Sequence, residues 1–340
     1  MRRLVSIATA AAAIVLTAAC GTGEPAGSLP ARDAAPVPPA RATLVAAPAA
    51  PDLVGSDAAP PVGTEAPATF LAVRDQTRLV VADTATGEDQ RVLFDLGPQD
   101  QQVPEYQRPR ISGVALSPDR ATAFFGAGSP GEPGVLYRVA VDGGPAKKIG
   151  PGSWPSVSPD GGRLAFIDDE TVVVQNLATA AVRRLELPAN DDGHVYLPRA
   201  VEWAADSRHL VLETQWLHSF TVLDADTATH QLDGRKIGNA PASAEYWMSG
   251  GRAVDGSVGA LISLWKPETD VGLAARTFVV LDPATGAERD RVELSFGAED
   301  STYDVSGRHL LLIAEDGSVH RSQGDGFIKI PGAGANLVAW

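Results

Sequence analysis

Cysteine is almost absent from this chain. The 340 residues contain one, Cys20, so no intramolecular disulfide and no multi-cysteine metal site can form. Packing must hold the fold. Basic residues are also few, 28 against 42 Asp and Glu, and lysine is rare among them. The net charge of −14 repels phosphate backbones and anionic headgroups, so no nucleic acid partner is expected. A long apolar run is missing too. The best candidate, residues 4–16, is too short to span a bilayer comfortably.

What is present at the N-terminus reads as an export leader. Arg2 and Arg3 form a charged start, residues 4–16 an apolar stretch, and small residues follow up to Cys20. Loss of those two arginines with the leader takes the charge from −14 to −16. The run Leu16-Thr17-Ala18-Ala19-Cys20-Gly21 resembles the lipobox of bacterial lipoproteins, in which the cysteine is lipidated. Thr17 stands where leucine is usual, and cleavage after Ala19 without lipidation is the alternative. Two acyl chains on Cys20 would supply the anchoring that one chain cannot. Residues 21–67 are rich in Ala, Pro and Gly with no strand period, which predicts a solvated tether reaching on the order of 100 Å when extended. The expected organisation is a leader over 1–20, a disordered tether over 21–67 and one folded domain over 68–340, extracytoplasmic and held to the outer face of the cell membrane through Cys20.

The folded region repeats itself. Ser117-Pro118-Asp119-Arg120, Ser158-Pro159-Asp160-Gly161, Ala205-Asp206-Ser207 and Val305-Ser306-Gly307 each precede an apolar strand. Pro sets φ, Asp bonds the backbone ahead and Gly tolerates positive φ, so each copy predicts a hairpin turn. A second series, strand then Asp-x-x-Thr-Gly then strand, begins at Asp83, Asp142, Asn176, Asp224 and Asp282, with a worn version near Ser322. From Asp83 to Ser322 is 239 residues over five intervals, about 48 each, which suits a four-stranded blade. The expected fold class is therefore all-β: a six-bladed β-propeller. The opening repeat has only three strands, and residues 336–340 match the innermost strands elsewhere, so the C-terminal strand is expected to complete blade one.

The run Ser158-Pro159-Asp160-Gly161-Gly162-Arg163-Leu164-Ala165-Phe166 resembles the repeat of TolB-type, WD-repeat-like propellers, and the layout resembles propeller lipoproteins of actinobacteria. That resemblance covers about residues 68–340. It implies a fold and leaves function open, because such repeats occur in scaffolds, sensors and peptidase halves. No Gly-x-Ser-x-Gly elbow is present.

In this strand order the blade-to-blade loops and the second-to-third-strand loops gather on one face, and the longest loops fall there. The expected partner-binding residues are Tyr106, Arg108, Arg110, His194, Tyr196, Arg199, Trp216, His218, Glu245 and Tyr246, a Tyr, Trp and Arg mixture of the kind interface hot spots favour. His209 and His309 share one repeat position and are expected to be structural. The cluster Asn190-Asp191-Asp192-Gly193-His194 lacks the spacing of a calcium loop. No catalytic residue, metal or cofactor is expected. The leading expectation is a monomeric envelope module that binds a protein, peptide or glycan. The alternative is a propeller hydrolase or lyase with a metal in the central channel, opposed by Arg110 and Arg199 near the starts of innermost strands.

Overall fold

The computed structural model describes residues 65–187, 197–204, 206–214, 219–228, 230–233, 244–248, 258–266, 271–272, 275–282, 287–304, 306–324 and 326–340. For residues 214, 219–220, 230–233, 244–248, 258, 262–266, 271–272 and 275 the backbone alone is described. Cys20, the leader and nearly all of the tether lie outside these residues.

Both turn series form as their chemistry dictates. Asp83 Oδ1 accepts the N–H groups of Ala85 (2.8 Å) and Thr86 (2.9 Å), Asn176 those of Ala178 (3.0 Å) and Thr179 (2.8 Å), and Asp224 those of Asp226 (2.8 Å) and Thr227 (3.0 Å). Such side-chain bonds replace backbone partners at the reversal and fix its position in the chain. In the other series Asp119 accepts from Ala121 N–H (3.0 Å) while Ser117 Oγ accepts from Thr122 N–H (2.9 Å). Asp160 and Ser158 repeat the arrangement with Gly162 and Arg163, each at 2.9 Å.

Between the turns the apolar runs pair antiparallel. The opening repeat supplies β1 (Thr69–Arg74), β2 (Arg78–Asp83) and β3 (Asp89–Asp95). A four-stranded sheet follows from β4 (Arg110–Leu116), β5 (Thr122–Gly128), β6 (Val135–Ala140) and β7 (Lys147–Pro151). The next comprises β8 (Ser153–Val157), β9 (Arg163–Asp168), β10 (Thr171–Asn176) and β11 (Val182–Leu185). Another comprises β12 (Pro198–Trp203), β13 (His209–Thr214), β14 (Ser219–Asp224) and β15 (His230–Asp233). The remaining strands are β16 (Ala244–Met248), β17 (Val258–Lys266), β18 (Val271–Gly272), β19 (Ala275–Leu281), β20 (Glu288–Tyr303), β21 (Leu310–Ala314), β22 (Ser318–Gln323), β23 (Gly326–Gly334) and β24 (Leu337–Ala339).

The expected count of six separate blades is corrected to five hydrogen-bonded sheets among the described residues. β16 to β23 form one eight-stranded sheet, because β20 does not break between repeats. Its first half pairs with β19 (Phe278↔Val292) and its second with β21 (Ser301↔Leu312), so one continuous strand serves two repeats. No Pro or Gly-rich turn interrupts the segment Leu294-Ser295-Phe296-Gly297-Ala298 that joins the halves.

The sheets are arranged as a propeller ring. β4 packs on β8, β8 on β12, β14 on β16, β16 on β20, β20 on β24 and β24 on β4. Closure falls where the repeat pattern places it. β24 adds to β1 with Leu71 opposite Ala339, Ala72 opposite Val338 and Val73 opposite Leu337, giving the sheet order β24-β1-β2-β3. Phe70, Ala72, Val80, Val338 and Trp340 then share one buried cluster with Leu311, Ile313 and Ile330 of the wide sheet. Each large apolar side chain buried there contributes roughly 1.5–3 kcal/mol.

A polar clasp lies beside this core. Arg74, 9% exposed, donates from Nε to Asp89 (3.0 Å), from Nη2 to the Gly87 carbonyl (3.0 Å) and from Nη1 to the Gly334 carbonyl at the end of β23. Gly87 sits at φ +72°, and a Cβ there would lie 2.3 Å from the Pro331 carbonyl oxygen. The first turn therefore abuts the last outer strand so closely that only glycine fits.

Two outcomes test the closure. Deleting residues 336–340 removes β24, exposes the edge of β1 and should abolish cooperative thermal unfolding; a sharp transition at the parent temperature would refute the scheme. Gly87→Ala should cost about 2 kcal/mol or more in denaturant unfolding, from backbone strain together with the clash against β23.

Candidate functional site: the channel and the long-loop face

Every innermost strand runs the same way, from the face carrying the blade-to-blade loops to the face carrying the Ser-Pro-Asp turns. The register shows it: the start of β4 (Arg110) lies opposite Gly128, next to the loop between β5 and β6, and its end (Leu116) lies opposite Ala123 beside the turn. The two turn series meet on the second face, where Val141 N–H bonds the Ala121 carbonyl, Leu177 N–H that of Gly162 and Ala225 N–H that of Arg208.

Among the described residues, that turn face is well packed. Trp203 is fully buried; its Nε1 and backbone N–H bond the Ser156 carbonyl and hydroxyl (both 3.1 Å), and the Arg163 guanidinium lies 4.5 Å over its ring. Trp340 and Leu116 are buried at the equivalent register, as the repeat alignment requires. His209 caps its own turn by bonding Asp206, in the structural role expected of it. Asp224 accepts from Arg208 Nε (2.7 Å) and is 2% exposed. Burial raises its proton affinity, but the N–H of Asp226 and the Arg208 guanidinium prevail and hold its pKa at about 2.

On the long-loop face the described residues include the loop before β4. Residues 97–109 carry a 3-10 turn at Glu105–Gln107 and are braced from within: Arg108 Nε donates to the Val103 carbonyl (2.9 Å), and its Nη2 reaches Gln101 (3.5 Å). The brace presents Tyr106, 70% exposed, whose hydroxyl accepts from Gln107 (3.2 Å). Arg110 follows, exposed at the start of β4. Across the ring, exposed Arg199 on β12 lies 3.5 Å from Glu213. Tyr106 and Arg110 therefore project outward, Arg108 supports them, and Arg199 has an ion-pair partner. Glu245 and Tyr246 fall on β16, opposite Ser263 and Ile262. His194, Tyr196, Trp216 and His218, with the cluster at residues 190–194, lie outside the described residues.

Between the faces runs the channel. A cavity of about 20 Å³, room for about one water, is lined by Val114, Leu116, Glu202, Thr302, Tyr303 and Trp340 among others. Glu202 accepts from Ser156 Oγ (2.9 Å). Two residues before Thr302 on β20 stands half-buried Asp300, whose pKa is pushed up to about 8 by desolvation, with Glu202, Glu213 and Glu299 adding repulsion against the Ser301 N–H bond that lowers it. Sequence reasoning assigned Asp300 no role. The available signal was an acid in the innermost register with no basic residue beside it. Among the described residues, no group of three or more His, Cys, Asp or Glu is placed to hold a metal ion.

No protein-family model matches the chain, and no curated protein matches it. Solved structures do. A chain of a nidogen/laminin complex aligns at 13% identity and TM-score 0.54 over 80% of this chain and 97% of that one. A protein of unknown function from Bacteroides caccae aligns at 11% and 0.53 over 80% and 98%. TolB from Acinetobacter baumannii aligns at 14% and 0.50 over 80% of this chain and 65% of its own. At such identities the likeness concerns fold alone, and the class it defines is the β-propeller.

Tyr106→Ala and Arg110→Ala should each change unfolding free energy by less than about 0.5 kcal/mol, since neither side chain is buried. Loss of more than 1 kcal/mol in chemical denaturation would show that they are structural after all.

Proposed function

We propose that this chain is a cell-envelope binding module: a propeller tethered through lipid on Cys20, which captures a protein, peptide or glycan partner on its long-loop face. The observation that carries this reading is the internally braced loop at residues 97–109. It holds Tyr106 largely exposed four residues before exposed Arg110, and an ordered aromatic and a cation displayed at no folding advantage are what a contact surface needs. The other face supports the reading by contrast, because tight turns and buried tryptophans occupy it.

The anchor rests on sequence chemistry: a charged start, a short apolar stretch and a sole cysteine after small residues. A free exposed thiol would be a liability in an oxidising compartment, whereas a lipidated one has a use.

Crosslinking of the full chain in its own membrane, followed by peptide mapping, tests both parts. Crosslinks should concentrate on residues 97–110 and fall at least tenfold in the Tyr106→Ala, Arg110→Ala double variant. Crosslinks on the turn face, or undiminished capture by that variant, would overturn the assignment of the face. Mass spectrometry of the same fraction should show acyl chains on Cys20; an unmodified N-terminus would remove the anchor.

A further inference from the structure

Acids outnumber bases in this chain, yet three strands near the outer rim of two adjacent sheets carry only bases. β6, β7 and β11 hold Arg138, Lys147, Lys148, Arg183 and Arg184 and no Asp or Glu. Lys147 and Lys148 are two of the five lysines in the whole chain, and both are exposed. β7 and β11 are the outermost strands of the second and third sheets, so among the described residues each has one edge without a strand partner.

Strand register fixes the side on which each base stands. Leu136 packs in one cluster with Leu164, Phe166 and Val173 of the third sheet. Arg138, two residues on along β6, leaves the strand on that same side, and Lys147 stands directly opposite it. From the third sheet Arg184 stands opposite Val173 and so faces the same cleft. Lys148 stands opposite Tyr137, whose ring stacks on Phe125 at 5.2 Å, and faces the first sheet instead. There Arg91 stands opposite Val81 and donates to the Val141 carbonyl at 2.7 Å. Cations therefore continue over the edge of β7 from one cleft between sheets to the next.

Few acids answer them. Arg184 bonds Asp168, and Arg183 bonds the carbonyls of Ala225 and Asp226. Among the described residues Arg138, Lys147 and Lys148 form no ion pair and no side-chain hydrogen bond, with Asp142 in the turn before β7 and Glu186 after β11 included. Like charges directly opposite on paired strands destabilise a sheet, so Arg138 facing Lys147 costs the fold stability and supplies none. A bilayer or a long polyanion would meet the field of the whole chain, −14, and be repelled. A short acidic segment on the rim meets the local cations instead, because charges beyond about 8 Å are screened at physiological salt. We propose that this rim is a second docking surface, for a short acidic peptide segment of a protein partner whose carboxylates lie along the edge of β7 against Lys147, Lys148 and Arg138. It is separate from the long-loop face and independent of the lipid anchor.

Fluorescence anisotropy of a labelled oligo-glutamate peptide against the full chain tests this. Binding should saturate at low ionic strength, fall steeply with added salt, and weaken about tenfold or more in the Lys147→Ala, Lys148→Ala double variant. The Tyr106→Ala, Arg110→Ala variant should bind the probe as the parent does, so the loop-face reading and this one fail separately. Since both lysines are exposed, the lysine variant should melt at or slightly above the parent temperature, the repulsion between Arg138 and Lys147 being gone. No binding at low salt, equal binding by the lysine variant, or a large fall in its melting temperature would overturn the proposal. So would binding of phosphatidylglycerol vesicles through the same lysines with none of the peptide bound.

Discussion

The structure depends on three backbone pairs. Leu71, Ala72 and Val73 meet Ala339, Val338 and Leu337, and through them the last strand of the chain becomes the innermost strand of its first sheet. A sheet lacking this strand would present an unpaired edge to the channel and leave Phe70, Ala72 and Val80 without the cover that Val338 and Trp340 provide. Ring closure over some 260 residues costs chain entropy before any contact repays it. The Arg74 clasp and the glycine-only contact at Gly87 lie at the same seam, reinforcing the one junction that no local turn can make.

Much of this was legible because turns are local chemistry. An Asp or Asn followed three residues on by Thr bonds its own backbone whatever the tertiary context, so the repeats announced themselves in the sequence, and with them the missing strand of the opening unit. The boundary between the last two repeats was not legible. Its connection has a single glycine and no proline, and β20 runs through it as a single strand, merging into one sheet what spacing divides into two. The Arg74 clasp was also hidden, since its partners stand up to 260 residues away in sequence.

The binding face remains a proposal from loop length and strand order, while the structure separates the roles of its described residues. Loop length and strand order distinguish the two faces in the sequence, and the described turns of the two series do meet on one of them. Individual roles depend on where a guanidinium turns, which composition does not encode: Arg108 braces its own loop, Arg199 meets Glu213, and Arg110 stands exposed. Asp300 escaped notice for the same reason. Its character comes from desolvation and from the charges of Glu202 and Glu213, carried by strands distant in sequence.

Amide hydrogen exchange across the β1–β24 junction examines ring closure most directly. If closure is the constraint on which the ring depends, the hydrogen-bonded amides of residues 337–339 open only with global unfolding and are protected as strongly as those of β9 in the third sheet. Exchange of those amides orders of magnitude faster than β9, through local fraying while the other sheets stay protected, would contradict the account.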